Sequence, residues 1–225
     1  MMGGFRRYSR ESKIPITTVF VLLFIASVAL GQDKDGHANH MKMMQQESGA
    51  NHADITLPNA TLITQDGAEV NLADDVVGDR IVVVNFVYTT CTTVCPVLSA
   101  IFSQVQNKLG DRVGDDVVMV SISVDPLRDT PARMKSYAGK IGAGDGWVWF
   151  TGQKQTVTQV LEEFGAYTPN FEDHPSMILV GDGNSGQWAR FLGFPGAGQI
   201  VSKVNEFSSS RMAHQAHAAM QEKKQ

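Results

Sequence analysis

Cys91 and Cys95 are the residues of this 225-residue chain whose type and spacing point most directly to chemistry. They stand in the segment YTTCTTVCP, and the sequence contains no other cysteine. Two thiols four positions apart can form a disulfide, exchange with another disulfide, or hold a soft metal ion together. A disulfide over so short a span closes almost no loop and adds little stability. We therefore predict reversible chemistry rather than a structural bridge.

The residues around this motif predict that the cysteines follow a buried strand and begin a helix. The segment RIVVVNFVY is almost entirely apolar and β-branched, as in a strand buried on both faces. Pro96 is predicted to open a helix whose apolar residues recur with helical period and which ends at Gly110. Because a helix N-terminus carries partial positive charge, both thiols are predicted to ionise near neutral pH.

Strands and helices alternate over residues 55–207, which we interpret as one domain. A hairpin is predicted around Asp66-Gly67, and the later strands and helices occur in turn. This order predicts an α/β fold with a central mixed sheet, flanked by helices on both faces, and an N-terminal β-hairpin. Functional groups of such folds lie at the carboxyl ends of strands, where the two cysteines are expected.

A soft metal ion bound by the two thiolates would take a histidine as its third ligand. Structural zinc and iron–sulfur clusters need four ligands, whereas Cu(I) accepts two or three soft ones. Of the six histidines, His174 alone lies inside the predicted domain. A single loop histidine is more often a solvated residue, but His174 directly precedes the strand expected beside the cysteine-bearing one. It can therefore face the cysteine loop.

The first 31 residues are typical of an export signal. Four basic residues precede an apolar run over residues 14–30, and Ala29-Leu30-Gly31 forms a small-x-small cleavage pattern. The run has 17 residues, the lower limit for crossing a bilayer. Residues 1–31 are therefore predicted to be a cleaved signal peptide or a retained membrane anchor, with the rest of the chain exported.

Two polar segments flank the predicted domain, a flexible linker at residues 32–54 and a polar tail at residues 208–225. Both contain side chains that bind copper: His37, His40, Met41, Met43, Met44 and His52 in the linker, and Met212, His214, His217 and Met220 in the tail. We interpret the segments first as a tether and a tail, with copper collection as the alternative. Without residues 1–31 the chain has 15 basic and 22 acidic residues, a net charge of −7. Such an acidic domain does not favour a nucleic-acid partner.

Taken together, the motifs resemble the Sco/SenC family of copper chaperones. YTTCTTVCP is followed by VDPLRDTP, whose Asp125 stands 34 positions after Cys91, and later by DHP. The resemblance implies a thioredoxin-like domain, usually membrane-tethered, on the periplasmic side of the inner membrane. It also places the copper ligands of the family on Cys91, Cys95 and His174. Two features depart from the usual pattern of the family: TTV between the cysteines, and Pro175 after His174. Thioredoxins have a cis-proline at the start of the equivalent strand, and Pro175 is a candidate for the same position.

The function implied by this resemblance is that of a metallochaperone rather than an enzyme. It would bind Cu(I), and also Cu(II) because imidazole suits it, and deliver copper to the copper A site of cytochrome c oxidase. Its implied partners are the copper-bearing oxidase subunit, other copper chaperones and thioredoxin-like reductants.

Alternative functions use the same two sulfur atoms. A thiol-disulfide reductase would keep the oxidase copper-site cysteines reduced. A peroxidase would use Cys95 in a T-x-x-C pattern, with Arg128 as the partner of the thiolate. Three acidic residues are expected nearby. The resemblance implies that Asp125 approaches the site, whereas helix entry and loop hydrogen bonding are the structural interpretation of Asp125 and Asp129. Asp173 is interpreted as a solvated carboxylate or as a residue that orients His174.

Overall fold

The computed structural model describes the backbone of residues 49–222 and the side chains of these residues except 215–219 and 221–222. Eight strands lie in this part of the chain: β1 (Asn51–Ala53), β2 (Thr61–Thr64), β3 (Glu69–Asn71), β4 (Ile81–Val87), β5 (Val117–Ser123), β6 (Trp147–Thr151), β7 (Met177–Asp182) and β8 (Trp188–Leu192). The α-helices described are α1 (Val94–Leu109), α2 (Pro131–Lys140), α3 (Lys154–Glu163) and α4 (Ala197–Glu222). A π-helical turn covers Leu72–Val77, and 3₁₀ turns cover Gly110–Arg112 and Phe171–Asp173.

The strands form one mixed sheet in the order β1-β8-β7-β4-β5-β6-β2-β3. Strands β4, β5 and β6 run parallel, while the other neighbouring strands pair antiparallel. The predicted hairpin is present as β2 and β3, and Gly67 in its turn has a φ of 83°, which favours glycine. The predicted mixed α/β sheet with an N-terminal hairpin is therefore confirmed.

Strand β4 lies at the centre of the sheet and is buried along its whole length. Its alternate residues contribute to two cores, one on each face of the sheet. Ile81, Val83 and Val87 pack in the core that contains apolar residues of α1, α2 and α4. Val82, Val84 and Phe86 pack in the core that contains α3 and the π-helical turn. This burial on both faces explains the continuous apolar run in the sequence.

The topology brings three connecting segments to one end of the sheet, where β4 and β5 finish. Parallel strands β4 and β5 both end there, and the cysteine segment and the Asp125 loop follow them. Strand β7 is antiparallel to β4, with Ile178 paired to Asn85, so β7 begins at the same end. His174 lies just before β7, which confirms the prediction that its strand neighbours the cysteine-bearing one.

Two local predictions about prolines differ from the structure. Helix α1 begins at Val94, so Pro96 is its third residue rather than its first. The first N–H groups of a helix have no intrahelical acceptor, and a proline therefore fits at this position too. No cis peptide bond occurs in residues 49–222, so the bond before Pro175 is trans, unlike the cis-proline considered from the sequence.

Two elements of the structure run into the segments predicted to be a linker and a tail. Strand β1 lies within the predicted linker, where it pairs with β8 at the edge of the sheet. Helix α4 continues through Ser208 to Glu222, the segment predicted to be a tail. The helix is anchored there because Arg211 pairs with the carboxyl group of Asp182, which is only 2% exposed. A long-range ion pair of this kind leaves no local sequence pattern.

The methionines and histidines considered for copper collection have different positions. Met212, His214 and Met220 are exposed on α4, and His52 is exposed in β1. The remaining side chains of that set lie outside the described part: His37, His40, Met41, Met43, Met44 and His217. Copper collection by these segments stays a prediction. The predicted leader, residues 1–31, also lies outside this part. Among residues 49–222, no helix has the length and apolar character that crossing a bilayer requires.

Replacing Arg211 with alanine should lower the free energy of unfolding by about 1–2 kcal/mol, because it removes hydrogen bonds to a buried carboxyl group. Burial alone would raise the pKa of Asp182, but hydrogen bonds from Arg211, Ser185 and Asn184 outweigh it and lower that pKa. A lowered pKa stabilises the fold above the unfolded value of about 4, and this stabilisation is lost in acid. The difference from wild type should therefore shrink as the pH falls.

Chemical denaturation at pH 7 and pH 3.5 would measure this effect. Lys203→Ala is the matched control, because Lys203 lies on the same helix and pairs with the exposed Glu206. A surface pair contributes only about 0.5 kcal/mol. Equal losses in the two variants would contradict the docking of the tail helix through Asp182.

Candidate metal centre

Cys91 lies in the turn between β4 and α1, and its sulfur accepts a hydrogen bond from the first turn of the helix. The backbone N–H of Cys95 donates to the Cys91 sulfur at 3.3 Å. Burial alone would raise the pKa of Cys91, but hydrogen bonds from the Cys95 thiol, from the backbone of Cys95 and Thr93, and from the Tyr88 hydroxyl outweigh it. They lower the pKa from 9.0 to about 7. The prediction of a thiolate near neutral pH is confirmed for Cys91.

Cys95 has the opposite electrostatic environment, and the prediction that it ionises near neutral pH is wrong. Its side chain is fully buried in the first turn of α1, and burial is the largest influence on its pKa. Because its thiol donates to Cys91, losing the proton would also break that hydrogen bond. These effects raise the pKa of Cys95 to about 12. The two cysteines are free thiols with unequal acidity.

His174 ends the 3₁₀ turn that precedes β7, and its side chain is 9% exposed. Its Nδ1 lies 2.8 Å from the carbonyl oxygen of Phe171. A carbonyl only accepts, so Nδ1 donates to it, which leaves Nε2 as the ring nitrogen that can meet a further partner. This buried Nε2 has no hydrogen-bond partner among the described residues. A protonated Nδ1 held by a backbone carbonyl, with a bare Nε2, is the usual form of a metal-binding histidine.

The structure brings the two cysteines together and links them to His174 through Tyr88. The Tyr88 backbone carbonyl accepts the N–H of Cys91 at 3.1 Å, and the Tyr88 side chain helps to lower the pKa of Cys91. The Tyr88 ring meets the imidazole of His174 edge to face, with 5.8 Å between the ring centroids. Within residues 49–222, no three histidine, cysteine, aspartate or glutamate side chains form a ready-made metal cluster. The set of Cys91, Cys95 and His174 as ligands therefore stays a prediction.

The acidic residues near the site have structural contacts. Asp129 is 1% exposed and accepts hydrogen bonds from Thr89 and Ser123, which confirms the loop hydrogen bonding predicted for it. Asp125 is also buried, and its carboxyl group pairs with Arg128. Arg128, which the peroxidase alternative assigns as the partner of the Cys95 thiolate, is thus paired with the Asp125 carboxylate.

Asp173 is exposed and accepts a hydrogen bond from Asn170. The Nδ1 contact of His174 is made by the Phe171 carbonyl instead, so this backbone group, and not Asp173, orients the imidazole.

The sequence-based prediction did not include Tyr88 and Phe171. Their rings meet edge to face at 5.1 Å, and the guanidinium of Arg128 lies 5.5 Å above the Phe171 ring. Tyr88 read as the last residue of an apolar strand and Phe171 as an ordinary loop residue. An aromatic residue three positions before the first cysteine and another three before His174 was the available signal.

A comparison with family models decides the family of this chain. The model described as SCO1/SenC matches residues 48–209, which include the cysteine motif and His174. This chain belongs to the SCO1/SenC family. The SCO1/SenC chain is 34% identical over 130 residues to the SCO1 protein homolog of Bacillus subtilis, a match that covers 54% of this chain. It spans just under two thirds, 66%, of that relative's length.

Solved Sco structures share the fold of this SCO1/SenC protein. BsSco, a member of the Sco family of cytochrome c oxidase assembly proteins in which a disulfide switch was identified, is 24% identical with a TM-score of 0.59. That match covers 71% of this chain and 96% of BsSco. ScoI of Arabidopsis thaliana with copper bound is 21% identical with a TM-score of 0.57, over 67% of this chain and 96% of ScoI. The predicted thioredoxin-like fold is confirmed by these likenesses.

Proposed function

We propose that this SCO1/SenC protein binds one copper ion through Cys91, Cys95 and His174 and delivers it to the copper A site of cytochrome c oxidase during assembly. The observation that carries the proposal is the buried Nε2 of His174, which has no hydrogen-bond partner among the described residues. The Phe171 carbonyl holds the Nδ1 of this imidazole, at the same end of the sheet as the free dithiol. Copper bound to the ScoI relative supports the choice of metal.

The donor set suits copper as a cargo. Thiolate sulfur and imidazole nitrogen are soft and intermediate donors that favour Cu(I), and imidazole also accepts Cu(II). Cys91 supplies a thiolate near neutral pH, whereas Cys95 must release its proton when copper binds. Transfer to the oxidase then proceeds by ligand exchange, one sulfur of the chaperone being replaced at a time by a sulfur of the recipient.

A thiol-disulfide reductase is the second candidate, and the unequal acidity of the cysteines favours it. In disulfide exchange, the thiolate of Cys91 would attack a sulfur of the partner disulfide and form a mixed disulfide. Cys95, after losing its proton, would then attack the Cys91 sulfur and release the partner as a dithiol. The net reaction oxidises this chain and reduces the partner, and it makes no use of His174.

Replacing His174 with alanine separates these two candidates. We expect Cu(I) affinity to fall by at least about tenfold, since one of three ligands is lost, while reduction of a disulfide substrate stays unchanged. Competition with a chromophoric Cu(I) chelator measures the affinity, and release of a fluorescent peptide from a disulfide-linked pair measures the reductase rate.

His214→Ala is the matched control for this variant. The Nδ1 of His214 also lies 2.8 Å from a backbone carbonyl, that of Ser210, but the side chain is exposed on α4. We expect this control to keep wild-type affinity for the copper at the cysteines. Equal affinities of the His174→Ala, His214→Ala and wild-type chains would refute the proposed ligand set and leave the reductase as the function.

The cellular setting belongs to the same proposal. We place the domain on the periplasmic side of the inner membrane, exported through residues 1–31 and either anchored or released there. The partners in this setting are the copper-bearing oxidase subunit, which receives the metal, and other copper chaperones or thioredoxin-like reductants, which load the site or reduce it.

A further inference from the structure

Tyr88 contacts both parts of the candidate metal centre with different atoms. Its backbone carbonyl accepts the N–H of Cys91 at 3.1 Å, and its ring packs edge to face on the imidazole of His174 at 5.8 Å. The same ring packs on Phe171 at 5.1 Å. Tyr88 directly follows β4, and this backbone hydrogen bond fixes the residue at the start of the cysteine turn.

We infer that Tyr88 is the positioning residue that holds the imidazole of His174 in reach of a copper ion bound to the two cysteines. The inference rests on the proposed function, because it assigns Tyr88 a role toward that ligand set. Tyr88 itself does not bind the metal in this proposal.

The contacts of the His174 turn give the physical reason. Phe171 touches both residues: its carbonyl accepts from His174 Nδ1, and its ring packs on Tyr88. The guanidinium of Arg128 lies over the Phe171 ring at 5.5 Å, and Asp125 holds this guanidinium by an ion pair. The Phe171 ring of this turn thus has contacts to both Arg128 and Tyr88. Removing the Tyr88 ring would leave the imidazole without its contact to the cysteine turn.

Different parts of Tyr88 have separable effects. The hydroxyl acts on Cys91, whereas the ring acts on His174 and Phe171. Tyr88→Phe keeps the ring and should preserve the placement of His174. Tyr88→Ala removes the ring and should release it. If Tyr88 had only a structural role, the two variants would differ in stability but not in the placement of His174.

The metal-free protein provides a test that does not depend on copper. Nitrogen-15 NMR of the full chain should show His174 as a single tautomer, protonated at Nδ1, in wild type and in Tyr88→Phe. In Tyr88→Ala, the two ring nitrogens should move toward averaged shifts. Tyr88→Leu keeps bulk at this position and replaces the alanine variant if that one does not fold. Unchanged His174 nitrogen shifts in the folded variant without the ring would overturn the inference.

A double-mutant cycle with Cu(I) tests the functional part. Relative to Tyr88→Phe, Tyr88→Ala should lower Cu(I) affinity by up to about tenfold, while in the His174→Ala background Tyr88→Ala should bind no more weakly than Tyr88→Phe. The control is Tyr137→Ala, because Tyr137 is half-buried in the same core and packs on Trp149. Additive losses in the cycle, or an equal loss in the control, would overturn the inference.

The same experiments distinguish failure of this inference from failure of the proposed function. If His174→Ala weakens Cu(I) binding but Tyr88→Ala does not, the ligand set stands and the role of Tyr88 is refuted. If His174→Ala binds Cu(I) like wild type, the ligand set is refuted, and with it the copper-related role of Tyr88. The nitrogen spectra then decide only whether Tyr88 orients the imidazole.

Discussion

In the reduced, metal-free protein, iodoacetamide at pH 7 should alkylate Cys91 about a thousandfold faster than Cys95. With pKa values of about 7 and about 12, roughly half of Cys91 but only about one Cys95 in 10⁵ is a thiolate at this pH. A thiolate of higher pKa is intrinsically more nucleophilic, which offsets about a hundredfold of this difference. Burial favours Cys91 further, since Cys95 is completely inaccessible and Cys91 is 7% exposed.

Mass spectrometry of the two alkylated cysteines at timed intervals would measure this selectivity. Because the pKa of Cys91 is lowered, its rate should rise between pH 6 and pH 8 with a midpoint near 7 and then level off. Replacing Cys95 with alanine removes a hydrogen-bond donor to the Cys91 sulfur and should move the midpoint upward. Comparable rates for the two thiols, or a midpoint near 9 in wild type, would contradict the assignment of Cys91 as the reactive thiol.

Replacing Asp129 with alanine should lower the free energy of unfolding by about 3 kcal/mol. The carboxyl group of Asp129 is buried and accepts from the Thr89 backbone at 3.1 Å, the Thr89 hydroxyl at 2.6 Å and the Ser123 hydroxyl at 2.6 Å. Alanine would leave these donors without their acceptor. Since Thr89 lies just before Cys91, the variant should also loosen the cysteine turn and increase alkylation of Cys95.

Chemical denaturation and the same alkylation assay would check both effects. Asp173→Ala is the control, because Asp173 is an exposed carboxylate near the site that accepts from Asn170. Its replacement should change stability by less than about 0.5 kcal/mol. Asp129→Asn keeps one acceptor oxygen and should fall between the two. If Asp129→Ala were as stable as Asp173→Ala, the proposed link between β5 and the cysteine turn would be wrong.

Local sequence patterns predicted the elements that carry the site. The apolar, β-branched segment at β4 has to be a buried strand, since each of its faces meets a core. The start of α2 is local as well, because the side chain of Thr130, just before Pro131, accepts from the backbone N–H of Arg133. The alternation of strands and helices then predicted that the strand after His174 lies beside the cysteine-bearing strand, which the pairing of β7 with β4 confirms.

Contacts between distant residues were not readable in the same way. The run of helix α4 beyond Phe207 depends on Arg211 meeting a buried carboxyl group that the sequence places 29 positions earlier. Strand β1 is only three residues long and depends on the exposed edge of β8 for its hydrogen bonds. Neither segment has a periodic apolar pattern, so local sequence alone did not predict this strand or this helical run.

The sequence by itself determined that this chain has a buried strand followed by a closely spaced dithiol at a helix start, because hydrophobic period and residue spacing are local properties. Only the tertiary structure decided that the two thiols differ in acidity, since burial and the direction of hydrogen bonding set each pKa. Only the tertiary structure also placed Tyr88 in contact with both Cys91 and His174, because that contact depends on how β4 and the turn before β7 meet in space.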